Sequence, residues 1–96
     1  MDPIVISKIH GNGVVLEAVS PITLAPRYDE EACHWYVEMD DIDLYCHGDD
    51  QAELLECIHD FISYDWISYV MCEDSELDKM AIELKKNLAG KFNQIL

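Results

Sequence analysis

The chain has 96 residues, half of them apolar, with 2 Trp, 5 Tyr and 2 Phe, which suits one folded domain around a single core. Twenty Asp and Glu against six Lys and Arg leave a formal charge of −14, a balance that phosphate backbones and anionic lipid surfaces repel. No apolar run approaches the roughly 18 residues of a membrane-spanning helix, and Met1-Asp2-Pro3 lacks the basic start of a signal peptide, so the expectation is a soluble cytoplasmic protein with no membrane or direct nucleic-acid partner.

Two short β-branched runs open the chain, Ile4 to Ile9 and Val14 to Val19, separated by His10-Gly11-Asn12-Gly13. Asn-Gly is the preferred pair of a type I′ turn, whose two central residues both need positive φ, so a hairpin is predicted over 4–19. Pro21 to Glu31 holds two prolines and an acid cluster and reads as a long connection. The next segment alternates: Trp35, Val37 and Met39 share one face, and His34, Tyr36 and Glu38 the other. After a turn at Asp40-Asp41, Ile42, Leu44 and Cys46 point in while Asp43, Tyr45 and His47 point out. Period-2 patterning of this kind predicts a second, half-buried hairpin over 34–47.

Gly48 ends the strand, and Asp49 or Asp50 then caps a helix over 51–71 with Glu53 in its first turn. Leu54, Leu55, Ile58, Phe61, Ile62, Trp66, Tyr69 and Val70 recur at helical spacing, with Glu53, Glu56, Asp60 and Ser63 as the opposite polar stripe. Such a helix spans roughly 30 Å, enough to cross a four-stranded sheet. Ser75 is expected to cap a second helix over 76–89, with Leu77, Met80 or Ala81, Leu84 and Leu88 inward and Gly90 just past its end. The predicted class is therefore α+β: a single domain over 1–96 in which two β-hairpins form an antiparallel sheet, covered on one face by a long helix and followed by a C-terminal helix. Trp35, Val37, Leu44, Leu54, Ile58, Ile62 and Trp66 are its expected core.

Cys33, Cys46, Cys57 and Cys72 read as reduced thiols, mostly small buried hydrophobes. Cys33-His34 and Cys46-His47 invite a zinc reading, but no C-x₂₋₄-C knuckle is present, and neighbouring strand residues point to opposite faces. The Asp40-Asp41-Asp43 cluster lacks the spacing and closing Glu of a calcium loop. No metal and no cofactor are expected. Catalysis has no candidate residue either: the carboxylates fall in exposed turns and polar faces, the four histidines have no nucleophile at a recognisable elbow, and no Gly-rich phosphate loop opens a helix.

Charge is uneven. Residues 1–78 carry 19 acids against Lys8 and Arg27, a net −17, whereas 79–96 carry four lysines against Glu83, a net +3. Either the last helix docks back on its own acidic body or on a sister subunit, or its lysines simply complement the helix dipole.

From Trp35 to Leu88 the order of features resembles small bacterial domains of the HicB-like kind: an alternating hairpin, a Gly48-Asp49 stop, an amphipathic helix with an aromatic last turn, an acidic break, and the Leu77-x₃-Ala81-x₂-Leu84-Lys85-x₂-Leu88 helix. The resemblance implies a strand-rich, partial RNase H-like fold with a covering helix, and an antitoxin: an acidic partner that caps a small basic endoribonuclease toxin and often forms a homodimer. No DNA-binding segment follows the domain, so direct operator binding is not expected. The function expected is thus a non-enzymatic, antitoxin-like module of a toxin–antitoxin kind acting by protein–protein interaction. A basic protein partner would meet Asp40, Asp41, Asp43, Asp49 and Asp50, with Tyr36 and Tyr45 as aromatic anchors. The alternatives are a nucleic-acid mimic, whose carboxylates would line one long face, and a structural accessory subunit whose acidity serves solubility.

Overall fold

In the computed structural model, which describes all 96 residues, Asn12 and Gly13 take φ of 49° and 80°. That left-handed pair closes β1 (Ile4–Gly11) onto β2 (Val14–Leu24) as the sequence predicts. β3 (Arg27–Asp29), β4 (His34–Met39) and β5 (Leu44–Gly48) follow, then α1 (Gln51–Asp65), α2 (Lys79–Lys91) and a short β6 (Phe92–Gln94). The α+β class stands, with two hairpins, a long helix and a C-terminal helix. The hairpins do not join into the single sheet expected: each recruits a third strand instead, giving two three-stranded antiparallel sheets, β1-β2-β6 and β3-β4-β5.

Three strand segments lie where the sequence reads as coil: the end of β2, the whole of β3, which falls inside the expected Pro21–Glu31 connection and pairs with β4, and β6. β2 runs on through Pro21 to Leu24, where a connection is expected. Proline can sit in a strand at an irregularity, where no ladder bond needs its missing N–H. The β1–β2 register supplies that irregularity: Ile6 faces Ile22 but Lys8 faces Glu17, so Ala18 to Pro21 bulge out. The bulge also resets which residues point inward, so Ile4 and Ile6 are buried on one side of it and Ile9 on the other. β6 is three residues long and carries no period of its own; the buried Phe92 and its pairing with Ala18 anchor it.

α1 unites the two sheets, packing on β5 and on β1 through Leu54, Ile58 and Ile62, all fully buried. Each such side chain stabilises the fold by about 1.5–3 kcal/mol. The sixteen buried residues of the core come from both sheets, both helices and the β4–β5 turn. Of the expected core, Trp35 is half-buried at its margin, while the other six are buried.

The start of α1 is as expected, with Asp50 the one of the two aspartates that caps it: its Oδ1 accepts the Glu53 N–H at 2.9 Å, and Glu53 Oε2 accepts the Asp49 N–H at 3.1 Å. The other helix ends differ from expectation. The α-helix stops at Asp65 and widens into a π turn over Trp66–Val70, the Met71 N–H reaching the Trp66 carbonyl. Ser75 lies in a separate 3₁₀ turn (Asp74–Glu76), and Asp78 caps α2, accepting the Ala81 N–H at 2.8 Å. Gly90 lies inside α2, and the helix ends where Phe92 leaves for β6. Ser63, assigned to the polar stripe, is fully buried: its hydroxyl donates to the His59 carbonyl at 2.6 Å and accepts from Asn12 Nδ2 at 2.8 Å. The helix face thus includes a polar position that fits against the first hairpin's tip.

Candidate partner-binding surface

The β4–β5 connection is a 3₁₀ turn over Asp40–Ile42 followed by Asp43 at φ 52°, rather than a two-residue turn at Asp40-Asp41. Ile42 leaves the strand and drops into the core from this turn, fully buried, which forces Asp40, Asp41 and Asp43 outward. Aspartate tolerates the left-handed region better than most residues, so the turn's shape and its acidity share a cause.

α2 stands against this turn. Its Lys91 pairs with Asp41 at 2.6 Å, and Asn87 Nδ2 donates to the Asp41 carbonyl at 2.6 Å. Lys85 reaches Asp74 at 2.8 Å and the Cys72 carbonyl at 2.6 Å. The Lys85 ammonium holds the Asp74 carboxyl below its usual range. Two of the four lysines of the last helix, Lys85 and Lys91, therefore dock it on its own acidic body.

A cleft of about 560 Å³ opens between turn and helix. Five carboxylates rim it (Asp40, Asp41, Asp43, Asp78 and Glu83), and Tyr69, Met80, Ala81 and Leu84 give it an apolar side. Of the five, Asp41 is in an ion pair and Asp78 is in a helix cap, while Asp40, Asp43 and Glu83 have no cationic partner. Met80 is 84% exposed, a large apolar side chain held in water at the cleft's mouth. Nearby, Asp65 is half-buried, and lost hydration followed by the Asp43 charge push its carboxyl up to about 6.

Tyr36 and Tyr45 lie on the outer face of β4 and β5, their rings stacked at 5.8 Å. The face continues as His34 stacked on His47 at 4.7 Å, with His34 Nε2 3.3 Å from the Tyr45 hydroxyl. Lost hydration, then the Asp29 and Glu38 charges, raise the Tyr45 phenol above its ordinary pKa.

The seven residues singled out from sequence thus fall in three places. Asp40, Asp41 and Asp43 share the cleft; Tyr36 and Tyr45 share the sheet face beside it. Asp49 and Asp50 sit beyond the far end of the five-residue β5, about 16 Å away at 3.3 Å per residue, and serve the α1 cap. Alternation places the tyrosines, but nothing local in the sequence brings Asp78, Glu83 and Met80 to the turn. Only the docking of α2 does so, with Ala81 turned inward and Met80 outward.

The four thiols are free: Cys46 is buried, Cys57 and Cys72 are half-buried, and Cys33 is exposed. No three His, Cys, Asp or Glu side chains converge as metal ligands would, and no helix is long and apolar enough to cross a membrane. Comparison with protein-family models, curated proteins and solved structures finds no match to this chain.

Proposed function

We propose that the chain is a non-enzymatic, cytoplasmic binding module that holds a basic protein against the cleft between the Asp40–Asp43 turn and α2. The observation that carries this reading is the pairing of three unpartnered carboxylates, Asp40, Asp43 and Glu83, with the exposed Met80 and the Tyr69–Leu84 wall. Like charges gathered in one cleft repel in the free state, and a cationic guest relieves that repulsion and is steered in by the field. An apolar anchor beside the carboxylates supplies the contact area that charge alone lacks. The stacked Tyr36–Tyr45 face extends the surface from the same turn. The HicB-like resemblance gives this reading its specific form: an antitoxin-like regulator that neutralises a small basic endoribonuclease, with a homodimer as its working state.

The test is capture of a basic protein from native lysate at two ionic strengths, followed by the same capture with a cleft variant. Asp40→Lys, Asp43→Asn and Glu83→Lys together keep a left-handed-tolerant residue at 43 and touch no helix cap. Loss of the partner by this variant, and weaker capture above the screening range near ~0.15 M salt, are expected. Glu56→Lys, an exposed acid on the helix stripe, is the control; Glu53 is unsuitable because its carboxylate completes the α1 cap. Equal capture by parent and cleft variant, or direct binding of DNA or RNA by the purified protein, overturns the reading.

A further inference from the structure

Two thiols that the binding surface does not use face each other inside the domain. Cys46 points inward from β5 and is fully buried. Cys57 comes from α1, the helix packed on that strand, and Cys46 shares its inward face of β5 with Gly48, where a Cβ would come within 2.7 Å of the Glu53 Cβ. Their environments differ sharply. Burial, together with Cys57 itself, pushes the Cys46 thiol far above its ordinary range, so it stays protonated and sealed from solvent. Cys57 is half-buried and lines a shallow depression of about 310 Å³ with Asn12, Asp60, Phe61 and Tyr64, which opens it to small molecules.

We propose that Cys46 and Cys57 are a redox pair that closes into a disulfide between β5 and α1, with Cys57 the entry thiol and Cys46 the resolving one. The oxidant is a small-molecule disulfide of the glutathione class. Cys57 loses its proton to water, and its thiolate attacks one sulfur of that disulfide. The oxidant's S–S bond breaks, one half leaves as a thiolate, and the other stays on Cys57 as a mixed disulfide. Cys46 then gives its proton to the thiolate already expelled and attacks the Cys57 sulfur, expelling the second half as a thiolate, which takes up the proton that Cys57 lost. In sum, two protein thiols are oxidised to one disulfide, and the oxidant is reduced by two electrons to two small thiols.

Strand and helix run antiparallel, and two residues of β5, roughly 6.6 Å at 3.3 Å each, match the roughly 6 Å of helix from Glu53 to Cys57. The register that seats Gly48 on Glu53 therefore sets Cys46 opposite Cys57, the placement a disulfide requires. The second step is the slow one, because attack requires the thiolate and the buried Cys46 seldom supplies it. The mixed disulfide on Cys57 therefore accumulates first and drains faster at higher pH. Cys33 is exposed on the β3–β4 turn, and Cys72 is engaged with the Ser68 carbonyl at 3.1 Å, so neither competes for Cys46.

The experiment uses the full chain carrying Cys33→Asn and Cys72→Ser, treated with oxidised glutathione at mildly alkaline pH, then acid-quenched, alkylated and peptide-mapped by mass spectrometry. The expected course is a transient glutathione adduct on Cys57 that converts to a monomer two hydrogens lighter than the reduced chain, with the Cys46 and Cys57 peptides cross-linked. Cys46→Ala should arrest the reaction at the adduct. A Cys57 adduct that persists in the chain retaining Cys46, or a Cys46 that still alkylates on unfolding after full oxidation, overturns the proposal. The parent readout stands even if the Cys46 variant fails to fold.

Discussion

Asn12-Gly13 at the tip of the first hairpin and Asp40–Asp43 at the tip of the second both turn the chain with left-handed residues, yet the two tips end in different surroundings. The first is fastened down. Asn12 Nδ2 bonds the buried Ser63, the His10 N–H bonds His59 Nδ1 at 3.2 Å with the rings 4.3 Å apart, and Gly11 lies so close to α1 that a Cβ there would come within 2.7 Å of Ser63 Oγ. The second tip sends Ile42 inward and is held to α2 only at Asp41, by Lys91 and Asn87, which leaves Asp40 and Asp43 unpaired in water beside a cleft. Polar groups spent on packing are satisfied by their own chain, and polar groups left unpaired are available to another molecule. The contrast places structure at one tip and binding at the other, and it can be tested at each end.

The largest effect falls on what both hairpins share. Ile58 is fully buried on the helix that bridges the sheets, and Leu44 is 2% exposed at the start of β5. Ile58→Asp or Leu44→Asp buries a charge without a partner, costing several kcal/mol against a total stability of about 5–15. Circular dichroism should find both variants unfolded at 25 °C; a parent-like melt for either would show that the inward face is misassigned.

A smaller effect isolates the first tip. Gly11→Ala should destabilise by about 1–3 kcal/mol, because the new methyl must displace the Ser63 hydroxyl from a closely packed contact. Ser63→Ala alone loses the Asn12 bond, worth about 1 kcal/mol. In the Ser63→Ala background the Gly11→Ala cost should shrink, since the 2.7 Å contact is gone and the next neighbours lie at 3.5 and 3.6 Å. Strict additivity in a denaturant-melt double-mutant cycle would mean that this tip is not fastened as described.

How much of this was legible beforehand divides along the same line. The first turn, the alternation of β4 and β5, and the inward row Leu54-Ile58-Ile62 are local patterns, and each forms where the sequence places it. The bulge at Ala18–Pro21, the three-residue β3 and β6, and the burial of Ser63 depend on partners distant in sequence, which no window of neighbouring residues contains. The site divides likewise. The turn acids are visible in the sequence, but their fates are not: whether an aspartate caps a helix (Asp50), pairs with a lysine (Asp41) or stands free (Asp40, Asp43) is decided by where α1 and α2 come to rest.

The pH dependence separates the two tips again. Asp65, near Asp43, has its carboxyl raised to about 6, so the folded state holds that proton more tightly than the unfolded chain does. Its contribution is favourable below the unfolded value near 4 and is lost as pH rises through 6. Asp65→Asn should therefore stabilise the protein at pH 7, by about 1 kcal/mol once discounted for partial solvent access, and leave it little changed at pH 4. His59, at the first tip, runs oppositely. Burial, then His10, lower its pKa, so its neutral-form stability is present above about 6.5 and lost as pH falls. The Asn variant should thus expose an acid-side loss of stability that Asp65 partly masks in the parent. Parallel pH–stability curves for the two chains would contradict the assignment.

The smallest stability effect carries the sharpest functional reading. Lys91 is three-quarters buried and pairs with Asp41 at the edge of the cleft, so the chain's own cation occupies one of the five carboxylates. Partner and lysine then compete for the same charge. Lys91→Ala should lower stability by less than about 1 kcal/mol, since the Asp41 side chain is half-exposed. It should also free Asp41 and deepen the negative field, so a basic partner binds several-fold more tightly and the gain fades as salt rises. Asp41→Asn/Lys91→Ala should cancel that gain while leaving the fold unaltered. If Lys91→Ala instead weakens capture as the melting temperature falls, the lysine only positions α2, and the cleft depends on the helix rather than on the free carboxylate of the turn.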